Sequence, residues 1–157
     1  MIVVLVGTNP YSFERLVKKV DELANVNSWD VFIQLGNTAY VPRHCDFERF
    51  ITKDELVKKI SAADAVICHG GFGSIRDVLA CGKPVIAVPR KPQLGESNDV
   101  QEELVRELEK EGRVLAVYDI ERLQETIELA KSFVSSGSPG HRIPQLIQEF
   151  LTNQLVG

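Results

Sequence analysis

The 157-residue sequence has no long run of either charge, no apolar stretch approaching the length of a membrane span, and only three cysteines. With a formal net charge of −4 and no basic tract, it offers no stripe for a polyanion, so nucleic acid is not an expected partner. Its apolar runs, such as residues 2–6, fall far short of the roughly 20 residues a spanning helix needs, so no membrane span is expected. No basic start or cleavage site precedes the first strand-like segment, and the expected location is the cytoplasm. Cys45, Cys68 and Cys81 lack CxxC spacing and sit in or beside apolar segments, which favours reduced core thiols over disulfides or zinc. His44 and His141 have no partner at metal-ligand spacing, and no Asp-x-Asp pair could hold a divalent ion. Neither a metal nor a cofactor is expected.

A hydrophobic content of 44% is enough to bury one core, and the length suits a single domain over residues 1–157. Many enzymes hold a nucleotide between two domains, and the expectation is that one wall of such a cleft comes from elsewhere. Short β-branched runs alternate with segments of helical period, the pattern of a parallel sheet covered on both faces. Strands are expected at residues 2–6, 31–35, 65–68, 85–88 and 114–117, with a short one near 46–50. The spacing of Phe13, Leu16, Val17, Val20 and Leu23 predicts the first helix. Thr52 and Glu55 stand in capping-box spacing at the second. Further helices are expected after Ser74, over 100–111, where capping is the alternative role for Asn98 or Asp99, over 120–133, and over 143–155. The last carries an apolar stripe, Ile143, Leu146, Ile147, Phe150 and Leu151, that either closes on the sheet or meets a partner. The fold class is therefore α/β, a doubly wound, Rossmann-like parallel sheet whose ligand lies beyond the carboxyl ends of the strands.

Two loops at those ends hold the candidate chemistry. His69-Gly70-Gly71-Phe72-Gly73-Ser74 follows a strand and opens a helix. Its glycines let a backbone approach a ligand, and the amides of the helix's first turn attract an anion. A tight strand-to-helix connection would use the same glycines. The spacing fits neither GxGxxG nor GxxxxGK[ST], which argues against a nicotinamide cofactor and ATP. Downstream, Arg90, Glu96, Asn98, Asp99 and Gln101 concentrate polar side chains at a loop-to-helix junction, an arrangement suited to several hydroxyls of a sugar. Arg90 either faces a phosphate or is solvated.

These motifs, with Asp77, Gly82-Lys83-Pro84, Val88-Pro89-Arg90 and the opening Val6-Gly7-Thr8, resemble the carboxyl-terminal, donor-binding domain of family 28 glycosyltransferases. Within that family the chain is most like the PssE-type small subunit of split two-chain UDP-sugar transferases. The resemblance implies the donor-binding half of a GT-B fold. It also implies that Gly7, Thr8, Gly70, Gly71, Phe72, Gly73 and Ser74 hold the diphosphate, Asp77 the ribose, Phe50 and Ile51 the uracil, and Asn98, Asp99 and Gln101 the sugar. Relatives usually have glutamate where Asp77 stands. His69 is a candidate catalytic base by its chemistry, whereas the resemblance places the base on the acceptor-binding half. The implied activity moves GlcNAc or another hexose from a UDP-sugar to a lipid-diphosphate-linked acceptor, together with a membrane-associated, PssD-like partner. That partner would recruit the chain to the cytoplasmic membrane face. The alternative is a regulatory module that holds a nucleotide sugar without transferring it.

Overall fold

The computed structural model describes residues 1–133. Six strands form one parallel sheet: β1 (Ile2–Leu5), β2 (Val31–Gln34), β3 (Asp46–Glu48), β4 (Ala65–His69), β5 (Val85–Val88) and β6 (Leu115–Ala116). Every residue of β1, β2, β4 and β5 is buried, as expected where helices cover both faces of a parallel sheet. The strand order is β3-β2-β1-β4-β5-β6. The winding thus reverses between β1 and β4, where Leu5 lies in register with Cys68, and the loops after these two strands flank the switch-point crevice.

The helices are α1 (Glu14–Asn27), α2 (Lys53–Ala62), α3 (Phe72–Ala80), α4 (Glu102–Lys110) and α5 (Leu123–Phe133). Alternate strand residues point to opposite faces. Val4, Ile33, Ile67 and Ile86 therefore pack under α1 and α5, while Val3, Phe32, Val66 and Ala87 pack under α2, α3 and α4. The capping box of α2 forms: Glu55 N–H donates to Thr52 Oγ1 at 3.2 Å and Thr52 N–H to Glu55 Oε2 at 3.2 Å. Trp29 packs against the α1-side core.

Three expectations need correction. α4 starts at Glu102, two residues later than expected, because Val100 is exposed while Gln101 is drawn inward; neither Asn98 nor Asp99 caps it. β6 keeps only two of its four expected residues. The expected helix over 120–133 opens with a 3-10 turn, Ile120–Arg122, before α5. His141 and the expected helix over 143–155 lie outside the described residues.

Within the segment from Asn37 to Cys45, which has no clear periodicity, Tyr40, Arg43 and His44 are held by one buried carboxylate. Asp21 accepts from Tyr40 Oη at 2.6 Å, from Arg43 N–H at 3.1 Å and from His44 N–H at 2.7 Å. Burial pushes its carboxyl up, but the Tyr40 bond and the two amides outweigh it and hold the group below its ordinary value.

Candidate functional site

At the carboxyl ends of β1 and β4 lies a cavity of about 270 Å³, lined by Leu5, Gly7, Thr8, Gln34, Phe50, Ile51, Leu56, Gly73, Ser74 and Asp77. It brings together three sets of residues assigned separately from the sequence: Gly7, Thr8, Gly73 and Ser74 for the diphosphate, Asp77 for the ribose, and Phe50 with Ile51 for the uracil. The first intrahelical bond of α3 runs from Ile75 N–H to Gly71 C=O at 3.1 Å. The amides of Phe72, Gly73 and Ser74 thus have no carbonyl within the helix and present the positive end of its dipole. Asp77 follows one turn later on the same helix, with Arg76 Nη2 3.7 Å from its carboxylate. Phe50 is 54% exposed, an aromatic face open at the cavity.

Behind this cavity sits a buried polar network. Arg90 is 1% exposed. Its Nη2 donates to Val6 C=O at 2.7 Å and its Nη1 to Glu96 C=O at 2.8 Å and Tyr11 C=O at 3.1 Å, while Nε donates to His69 Nδ1 at 3.3 Å. Its guanidinium lies over the Phe13 ring, 4.8 Å from the centroid. Burial lowers its pKa to about 10 against the opposing charge of Glu96, so it remains a cation at neutral pH. Both sequence readings of Arg90 are corrected. The side chain is neither solvated nor free to grip a phosphate, because it ties the loops after β1 and β5 together.

His69 is also buried, and burial followed by the nearby Arg90 charge lowers its pKa to about 3. A guanidinium can only donate, so Nδ1 must carry the lone pair and Nε2 the hydrogen. The Gln101 amide agrees: its Oε1 accepts from Arg90 N–H at 3.0 Å and its Nε2 approaches His69 Nδ1 at 3.3 Å. Nε2–H of His69 then donates to Ser74 Oγ at 3.1 Å. With one nitrogen occupied by donors and the other protonated, His69 has no free lone pair with which to act as a base. Its ring also explains two glycines. A Cβ on Gly7 would come within 2.5 Å of Nε2, and one on Gly71 within 2.3 Å of Cε1. Gly7 additionally has φ +85°.

The sugar-assigned residues stand apart from the cavity. Gln101 is buried with its amide turned inward to Arg90 and His69, beside Gly70, and so contacts the network rather than the cleft. Asn98 is exposed and accepts from Tyr11 Oη, and Asp99 C=O accepts from Ser97 Oγ at 2.6 Å. Arg15 holds this loop from α1, with Nε and Nη2 each 3.0 Å from the Glu96 carboxylate. Gln34 was not foreseen. It fastens the other side, with Oε1 accepting from Gly7 N–H at 2.8 Å and Nε2 donating to Gly7 C=O at 3.1 Å and Arg49 C=O at 2.8 Å. The Gly7 amide is therefore occupied. The only sequence signal for Gln34 was a polar residue inside an apolar run.

A larger cavity, about 820 Å³, runs along β6 and the start of β5 and shares no residue with the assigned site. The smaller cavity is the better candidate, since it combines the amino terminus of α3, the Asp77 carboxylate and the exposed Phe50 ring at the switch point of the sheet.

The glycosyltransferase family 28 C-terminal domain matches residues 1–136. The human UDP-N-acetylglucosamine transferase subunit ALG13 is 34% identical over 124 aligned positions, in a match that covers 72% of this chain and 10% of that protein. The chain thus spans about a tenth of that relative's length. Among solved structures, the glycotransferase of kitacinnamycin superposes with a TM-score of 0.70 at 14% identity, covering 94% of this chain and 39% of the other. CalG4, the calicheamicin glycosyltransferase, gives 0.64 at 16% identity, covering 96% and 38%. These two likenesses establish the fold, a Rossmann-like sheet equivalent to one half of a GT-B enzyme.

Proposed function

The chain belongs to the family 28 glycosyltransferases, as their C-terminal domain, and from that premise we propose that it is the donor-binding subunit of a PssE-type, two-chain UDP-sugar transferase. One observation carries the reading: the cavity at the switch point gathers Ser74, Asp77 and Phe50 at one strand end. The diphosphate would lie on the free amides of Phe72, Gly73 and Ser74, with Thr8 across from them. Asp77 would accept from the ribose hydroxyls, and the uracil would sit against Phe50 and Ile51. The sugar, GlcNAc or another hexose, would extend toward the loop carrying the exposed Asn98 and Asp99.

In the transfer, the acceptor hydroxyl attacks the anomeric carbon and UDP leaves toward α3. Charge on the leaving diphosphate is met by oriented amides, which are fixed before the reaction and need no metal. A tied-up His69 is consistent with a base supplied by another chain, a membrane-associated, PssD-like subunit that brings the lipid-diphosphate acceptor. No helix among the described residues is long and apolar enough to cross a membrane, so recruitment to the cytoplasmic face would fall to that partner.

Calorimetric titration of the whole chain should show binding of UDP and UDP-GlcNAc. Asp77→Ala should weaken UDP about tenfold or more, the worth of hydrogen bonds to an ionised group. Failure to bind any UDP-sugar would remove this reading.

A further inference from the structure

We propose that Arg90, His69 and Ser74 form a fixed hydrogen-bond relay that points the Ser74 hydroxyl proton, with part of the buried cation's polarisation, at the donor diphosphate. The inference rests on the donor-binding reading above and names His69 and Arg90 as positioning residues for that site.

The direction of each bond is forced. Arg90 Nε has only a hydrogen to offer, so His69 Nδ1 accepts at 3.3 Å. The remaining ring hydrogen is on Nε2 and is donated to Ser74 Oγ at 3.1 Å. Ser74 Oγ, having accepted, has its own hydrogen left to give, and Ser74 lines the cavity. With one of its two lone pairs committed to His69, the hydroxyl keeps its hydrogen for the ligand, which suits an ionised phosphate oxygen. Bonds in series strengthen one another in a medium of low dielectric. The cation thus acts on the anion without touching it. The imidazole packs closely against the backbones of Gly7 and Gly71, where a side chain would collide with its ring at 2.5 Å and 2.3 Å.

Two measurements on the whole chain test the relay. Long-range nitrogen-15 NMR of the ligand-free chain should show His69 as the Nε2–H tautomer with no titration between about pH 5.5 and 8.5, across the ordinary imidazole range. An Nδ1–H tautomer would overturn the proposal whether or not UDP binds. Calorimetry with UDP should show Ser74→Ala weakened about 10-fold to 100-fold. His69→Asn, whose amide reaches only the Nδ1 position, should lose a similar amount. His69→Gln, whose amide nitrogen reaches the Nε2 position, should restore most of the affinity. The double variant H69N/S74A should bind no worse than S74A alone, because both break one bond. Additive losses, or equal defects in the Gln and Asn variants, would mean that His69 only fills space. If the wild type binds UDP and S74A binds it equally well, the relay fails and the donor-binding reading stands. If the wild type binds no UDP, both fail.

Discussion

Replacing Arg90 by alanine is expected to cost about 3–5 kcal/mol of folding free energy, the range seen when one member of a buried charged network is removed. Three backbone carbonyls, those of Val6, Tyr11 and Glu96, lose their donor at once. Those of Val6 and Glu96 are left in a place water does not readily reach, and an unsatisfied buried acceptor costs about 1–3 kcal/mol. The Phe13 ring loses the cation above it, and Glu96 retains Arg15 as its partner. The damage should therefore centre on the loops after β1 and β5, with the sheet itself intact. Lysine would keep the charge but not the fork, so R90K should fall between the wild type and R90A in urea denaturation. An R90A variant as stable as the wild type would show that these carbonyls find other donors and that the network does not hold the loops.

Gly73→Trp is expected to lower UDP affinity about 100-fold or more, equivalent to about 2.7 kcal/mol, with little change in melting temperature. A Cβ at Gly73 meets no heavy atom within 4 Å, so a side chain can leave the backbone there without a clash and the indole would project into the cavity. The ligand belongs in that same space, which Gly73 lines. Gly73→Ala should be neutral or slightly stabilising, because alanine is the better helix former by up to about 1 kcal/mol. Gly71 is a contrasting case. It stands two residues earlier in the same motif, but a Cβ there would meet His69 Cε1 at 2.3 Å, so Gly71→Ala should damage the loop itself. Differential scanning fluorimetry beside calorimetry separates the two behaviours. Full UDP affinity in G73W would put the diphosphate elsewhere.

The two glycines show how much of the site could be read from sequence. Both announce a tight turn and an anion seat, but only the fold reveals that one makes room for an imidazole and the other for a ligand. The strands β1, β2, β4 and β5 were legible because burial on both faces leaves apolar runs, interrupted in β2 by Gln34 and ended in β4 by His69. The capping box of α2 was legible because its two bonds lie within four residues. The start of α4 was not: Val100 looks like the first residue of an apolar stripe, while the residue actually drawn inward is the polar Gln101. Phe50, Ile51 and Asp77 were placed through family resemblance, and the fold gathers them at one strand end. Arg90 was misread for a physical reason. Most of its acceptors are backbone carbonyls from loops as far away as Val6, 84 positions along the chain, and a carbonyl leaves no mark in a sequence. Gln34 escaped for the same reason, since its partners are the backbones of Gly7 and Arg49.

In a donor-binding subunit of this fold, UDP sits at the carboxyl ends of β1 and β4. The most direct test is a map of backbone amide shifts during titration of the labelled whole chain with UDP. Saturable shifts should concentrate at Thr8, Phe50, Ile51, residues 71–75 and Asp77. Shifts gathered instead along the larger cavity, at Lys83, Gly112 and residues 114–118, or no saturable shift at all, would contradict that placement.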